Sequence, residues 1–359
     1  MREIETSIMR VDATKPDTGR ISEAANFIRR GGVVVFPTDT VYGIGANAFD
    51  DAACRRIFEI KGRPADNPLI VHVQSVEQAS ELAHIDGKYL KKIRRIWPSP
   101  ITFIAKAKAK FPASVTAGLG TVAIRMPAHP VALALIKSAG VPIAAPSANP
   151  SQKPTATTGL QSIRYFDGKA DCIIDSGSSF FGIESTIIDL RTFTVLRPGP
   201  FTPEEIEKAF SIKPRVGRVA SGTASARGAV ISPGTKYRHY APETPMFIFE
   251  GEERQLKNIV EGINAAFAII GSSELCSRSE RLGYSTISLG SRKDIYGIAK
   301  NLYSAIILLD SLKVKFGIVE AFDESGIGLA IMNRLRKASS NKSFSTKKGL
   351  LKLLSEQSL

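Results

Sequence analysis

The chain has 359 residues, 43% of them hydrophobic and 23% charged, with a formal net charge of +14 and a pI near 9.7. That length exceeds one ordinary domain and sets two as the expectation, while the positive charge calls for an anionic partner: nucleotide, nucleic acid or phosphate. The three cysteines, Cys54, Cys172 and Cys276, form no Cys-x-x-Cys pair, which argues against a zinc site and fits a reducing cytoplasm. No run of about 18 apolar residues suggests a membrane helix, and the polar first residues do not read as an export signal.

In chain order, Ser22 is expected to cap a helix over 22–30 that Gly31 and Gly32 stop. A buried strand follows over 33–36, broken by Pro37, and then a loop over 38–46 whose glycines would let backbone approach a ligand. Asp50 should cap a helix reaching Lys61, which sets Lys61 and Arg63 at a helix end where cations also suit the helix dipole. Strands are expected over 69–73, 101–107, 122–125, 142–145, 172–174, 185–190 and from 195. Helices are expected over 75–82, 88–96 and 130–138. This predicts a mixed α/β domain with a twisted open sheet over 1–210.

Between Ser211 and Pro242 there are six Lys or Arg and no Asp or Glu, among many Gly, Ser, Ala and Thr. The stretch 211–242 reads as a basic interdomain linker, but Tyr237, Arg238, His239 and Tyr240 are too rich for a plain tether. From 243 to 359 strands and helices alternate, as in a smaller Rossmann-like α/β domain without its Gly-x-Gly-x-x-Gly turn. The Lys-rich end (Lys342, Lys347, Lys348, Lys352) reads as a frayed tail.

The chemistry-bearing patterns are short. Lys61-Gly62-Arg63-Pro64 sets two cations around a glycine, suited to phosphate oxygens. Ser147-Ala148-Asn149 sets two small hydrogen-bonding side chains on a loop between Pro146 and Pro150. Arg125 and Arg197 end apolar strands, where α/β sheets hold ligands, although either could equally make a surface ion pair. His72 alternates with Val71 and Val73 and so faces the other side of its sheet, toward a ligand or toward a structural partner. Ser185 and Thr186 offer hydroxyls at a strand start, or ordinary turn chemistry. No Walker loop, serine-hydrolase elbow or metal-ligand cluster is present in the sequence.

Taken together, Pro37-Thr38-Asp39-Thr40-Val41-Tyr42-Gly43, the Lys61–Pro64 motif with Asn67-Pro68-Leu69, Pro146–Ser151, Glu184-Ser185-Thr186 and Leu196-Arg197-Pro198-Gly199 stand in the order of the YrdC-type family. Ser232-Pro233-Gly234 with Lys236-Tyr237-Arg238-His239-Tyr240-Ala241-Pro242 resembles the linker signature of its long, two-domain form. The resemblance implies an L-threonylcarbamoyladenylate synthase, which joins L-threonine, bicarbonate or CO2, and ATP and releases pyrophosphate. The product serves N6-threonylcarbamoyl modification of adenosine 37 in tRNA, through a partner transferase. It also implies roles: Lys61, Arg63, Asn67, Ser147, Asn149, Thr155, Arg197 and Tyr237 toward ATP, with Lys61 and Arg63 catalytic, and Thr40, His72, Arg125, Ala145 (through its backbone) and Ser185 toward L-threonine. Mg2+ is expected to arrive bound mainly to ATP, and the linker to fold over the site as a lid. Two other readings follow from the same residues. One is a tRNA- or duplex-RNA-binding module without catalysis. The other is a HypF-type carbamoyltransferase, which would carry zinc-finger cysteine pairs and an acylphosphatase-like module that this chain lacks.

Overall fold

The computed structural model describes residues 4–217 and 240–357, and the chain folds as an α/β protein around two sheets. The described residues form two compact units, the first made of 4–151 and 155–217, the second of 152–154 and 240–357.

The first unit is built on a mixed sheet of twelve strands among the described residues. Its order is Ser7–Arg10, Cys172–Asp175, Val34–Phe36, Gly43–Asn47, Ile143–Ala145, Ile70–His72, Thr121–Arg125, Ile101–Ala107, Thr186–Asp189, Thr194–Arg197 and Arg215–Val216, with Ala83–His84 pairing beside Ile101–Ala107. Strand alternation sorts the apolar side chains into layers. Val35, Ile44, Val71, Phe103 and Ile124 join one large core with the helix Asp51–Lys61 and the later helices. Val34, Phe36, Ile143 and Ala145 join another, closed by Thr18–Arg29 and Pro130–Ala139. A third cluster, Ile70, Ile104, Ala123 and Ile187, contains strand residues alone.

Local chemistry explains most element ends. Asp50 accepts from Ala53 N and starts Asp51–Lys61, and Gly62, at φ 59°, ends it in the left-handed conformation that glycine adopts without steric cost. Ser75 caps Val76–Leu82, and Pro130 sits at the first turn of Pro130–Ala139.

Several expectations are corrected. The first helix begins at Thr18, because Asp17, not Ser22, caps it by accepting from Arg20 N. Residues 43–47 are not loop. They form a strand antiparallel to Val34–Phe36, and a Cβ on Gly45 would lie 2.6 Å from Ile143 Cγ2 and 2.9 Å from Phe36 Cε1, so this glycine answers to packing rather than to a turn. The first unit also runs past 210. Arg215 N donates to Phe193 O and Gly217 N to Val195 O, which makes Arg215–Val216 an edge strand rather than linker.

In the second unit five parallel strands follow the order Ser285–Gly290, Phe267–Ser272, Phe316–Glu320, Met246–Phe249, Ser343–Phe344, with helices between them. The Lys-rich end is not frayed. Thr346 caps the helix Lys347–Glu356, and Leu350 and Leu354 enter the core against Phe247, Leu256 and Phe344.

Candidate active site

The strand-only apolar cluster marks the sheet face on which the site lies. Residues two apart on a strand share a face, so Ile70 brings His72, Ala123 brings Arg125, Ile104 brings Thr102 and Ile187 brings Ser185. Register completes the grouping: His72 pairs with Arg125 on one side and with Ile143 on the other, while Ala145 stands opposite Ile70. All of these are buried.

Two constellations form. In the first, Arg125 Nη1 donates to Thr40 Oγ1 at 2.6 Å and Nη2 to Asp39 Oδ1 at 2.5 Å. Asp39 Oδ1 also accepts from Ala128 N at 3.0 Å, and Thr38 Oγ1 lies 2.9 Å from Thr40 Oγ1. Ser185 Oγ is 2.8 Å from Thr102 Oγ1, and Arg197 clamps Ser185 through Nε to its carbonyl (3.0 Å) and Nη2 to its hydroxyl (3.1 Å). His72 stands edge-on to Phe36, and its Nδ1 lies 3.1 Å from Ile70 O. A carbonyl can only accept, so this contact favours a proton on Nδ1, and the Ile143 backbone also engages the ring.

In the second constellation Lys61 Nζ donates to Ser147 O at 2.6 Å and to Asn149 O. Ser147 Oγ donates to Asn149 Oδ1 at 2.6 Å, and Thr155 Oγ1 reaches Asn149 Oδ1 at 3.4 Å and Glu184 Oε1 at 3.0 Å. Arg63 is half-buried, lies over the Phe58 ring and donates through Nη2 to Asn67 O at 3.0 Å. The Lys-x-Arg and Ser-x-Asn motifs, 86 residues apart at their closest bond, are therefore one structure. Glu184 and Ser185, adjacent in the chain, belong one to each constellation.

Burial sets the electrostatics. Desolvation, helped by the Arg125 charge, pushes His72 down to about 3, so the ring is neutral at neutral pH. Between pH 6.5 and about 3 the unfolded chain binds a proton at this histidine that the folded chain does not. Stability should therefore fall as pH drops through that window and owe nothing to His72 above it. His72→Asn should flatten that part of the profile, measured as urea midpoints from pH 7 to 4; a parallel profile would contradict the buried neutral ring. Desolvation also lowers Lys61 well below its usual 10.5, with Arg63 adding to the effect and Glu184 opposing it.

Gly199, in the Arg197-Pro198-Gly199 motif, is fixed by close approach. A Cβ there would lie 2.4 Å from Thr186 N and 2.6 Å from Glu184 O and from Ser185 C. Gly199→Ala should displace the backbone that carries Ser185, costing about 1–3 kcal/mol and raising the KM of the substrate held there. An unchanged urea midpoint together with an unchanged KM would refute this.

Twelve of the thirteen site residues expected from sequence lie in these constellations or pair with their strands, while Tyr237 falls outside the described residues. Sequence reading gave no role to Asp39, Thr102 or Glu184. Two of the three stood inside quoted motifs, but what they bond to is far away in the chain.

Fold and site together define an α/β protein that gathers buried cations and small hydrogen-bonding groups from distant parts of its first unit. The Sua5–YciO–YrdC family model, described under telomere recombination, matches residues 26–199, and the model for the threonylcarbamoyl-AMP synthase C-terminal domain matches 201–340. A threonylcarbamoyl-AMP synthase of Pyrococcus abyssi is 44% identical over 333 residues, covering 89% of this chain and 94% of that protein. One of Bacillus subtilis is 41% identical over 335 residues, covering 91% and 95%. The crystal structure of P. abyssi Sua5 complexed with L-threonine superposes with a TM-score of 0.86 at 40% identity, over 95% of this chain and 100% of that one. The chain belongs to the threonylcarbamoyl-AMP synthase family.

Proposed function

We propose that this protein condenses L-threonine, bicarbonate (or CO2) and ATP into threonylcarbamoyl-AMP and pyrophosphate. The observation that carries the reading is the joining of Lys61 to the Ser147–Asn149 loop, which is tied through Ala148 N to Tyr42 O, two residues from Thr40 of the Arg125–Thr40 pair, in a chain 44% identical to a named synthase. The P. abyssi relative was crystallised with L-threonine, which supports the same amino acid here.

The α-ammonium of threonine becomes a carbamate, with loss of water and one proton when bicarbonate is the carbon source. A carbamate oxygen then attacks the α-phosphorus of ATP, the bond to the β-phosphate bridge breaks, and pyrophosphate leaves with the charge. The attacking group is already anionic, so positioning and charge neutralisation dominate. Lys61, Arg63 and Arg197 supply positive charge to the phosphates, and Ser147, Asn149, Asn67 and Thr155 orient the nucleotide. Thr40, His72, Arg125, Ser185 and the Ala145 backbone hold threonine. His72 serves as a neutral partner for a hydroxyl. Mg2+ would be held mainly by triphosphate oxygens and would neutralise further charge.

We further propose that the product passes to a tRNA-modifying transferase in the cytoplasm. No helix among the described residues is long and apolar enough to cross a membrane. The RNA-binding reading without catalysis is not favoured, because the curated relatives over nearly the full chain are synthases. Direct tRNA contact through the +14 surface remains part of the proposal and would show as binding that weakens steeply with salt. The test of the whole reading is pyrophosphate release by purified protein: release should need ATP, L-threonine and bicarbonate together, and release that ignores the omission of threonine would overturn it.

A further inference from the structure

Asp39 and Arg125 pair with each other in an incomplete way. Both side chains are almost fully buried, at 5% and 4% exposure. A purely structural arginine–carboxylate pair commonly uses both carboxylate oxygens in a two-pronged bond. Here a single oxygen, Asp39 Oδ1, takes both Arg125 Nη2 and Ala128 N. Asp39 Oδ2 and Arg125 Nε are buried and have no hydrogen-bond partner among the described residues. An unmet acceptor on a buried anion and an unmet donor on a buried cation are each costly, and each calls for a partner that the described residues do not supply.

The two orphans are of opposite character and sit on neighbouring side chains beside Thr40 and His72. A ligand that meets both needs a cationic donor and an anionic acceptor a short distance apart. An α-amino acid in its zwitterionic form carries both on one carbon. We propose that Asp39 receives the α-ammonium of the substrate while Arg125 receives its carboxylate, so that the site selects the zwitterion. This deepens the threonine reading above and rests on it. Asp39 then acts on binding and selection, with a second consequence. Once the nitrogen has become an anionic carbamate, the attraction to Asp39 turns to repulsion, and the new group is directed away from Asp39 toward the cations of the phosphate side.

Isothermal titration of the full-length protein tests this with L-threonine and with 3-hydroxybutyrate, which keeps the carboxylate and hydroxyl but lacks the ammonium. In the unaltered protein 3-hydroxybutyrate should bind at least about tenfold more weakly. Asp39→Asn should weaken L-threonine by about tenfold or more, leave 3-hydroxybutyrate nearly unchanged, and leave ATP affinity alone. Asp39→Asn that weakens both ligands equally would overturn the proposal and leave Asp39 as a holder of Arg125. If Asp39→Asn does not fold, the comparison in the unaltered protein decides: affinities within about twofold of each other overturn the proposal. Loss of the synthase reading would look different, because the unaltered protein would then not bind L-threonine at all.

Discussion

Lys61→Met is expected to lower the rate of pyrophosphate release by about 10²–10³-fold, the loss typical of one preorganised charge donor aimed at a transition state. The lysine ends the helix Asp51–Lys61 and is 3% exposed. Two of its three donors hold Ser147 O and Asn149 O, so it both shapes the loop and brings its charge to that loop. Methionine keeps much of the aliphatic volume but has neither donors nor charge. The loop carbonyls lose their partner, which destabilises. Against this, a desolvated ammonium whose pKa already lies well below 10.5 is no longer buried, which stabilises. The urea midpoint should therefore move much less than turnover does. Turnover within about threefold of the unaltered protein would remove Lys61 from the chemistry.

Arg125→Ala is expected to cost about 3–5 kcal/mol of stability, because it strands the buried Asp39 carboxylate. That is a large share of the total stability of an ordinary domain. Removing both charges should be milder than removing one. The double variant Asp39→Asn, Arg125→Leu should therefore recover part of the loss while remaining inactive. Urea denaturation of the three proteins measures this, and a single variant as stable as the double one would contradict a strong buried coupling.

How far the sequence exposes these features depends on range. Helix ends governed by the nearest few residues were legible: Asp50, Ser75 and Pro130 mark three helix starts correctly. Where two capping residues competed, Asp17 prevailed over Ser22, which ended up inside the helix. Gly45 looked like part of a loop because its need for a small residue comes from Ile143, Phe36 and Ala145, about 100 residues away for two of them in the chain. The strand Ser7–Arg10 was missed because its partner is Cys172–Asp175, and the tail helix because a Lys-rich sequence hid the leucines that bury.

The site divides in the same way. Residue types that suit phosphate or a small polar ligand could be picked out, and family resemblance ordered them. The bonds that make them a site cross the chain: Lys61 to Ser147, Arg125 to Asp39 and Thr40, Ser185 to Thr102. No local pattern states those pairings. Asp39 shows the consequence. It stood in a quoted motif, yet its charge gained meaning only with Arg125 beside it.

The central claim is that one site joins three small molecules, and the most direct measurement follows the carbon. Purified protein is incubated with ATP, Mg2+, L-threonine and 13C-bicarbonate, and the nucleotide products are weighed by mass spectrometry. The expected result is threonylcarbamoyl-AMP one mass unit heavier than with ordinary bicarbonate, absent when threonine or ATP is left out and nearly absent with Lys61→Met. ATP consumed to AMP with no label in any threonine-containing adenylate, or no adenylate formed at all, would contradict it.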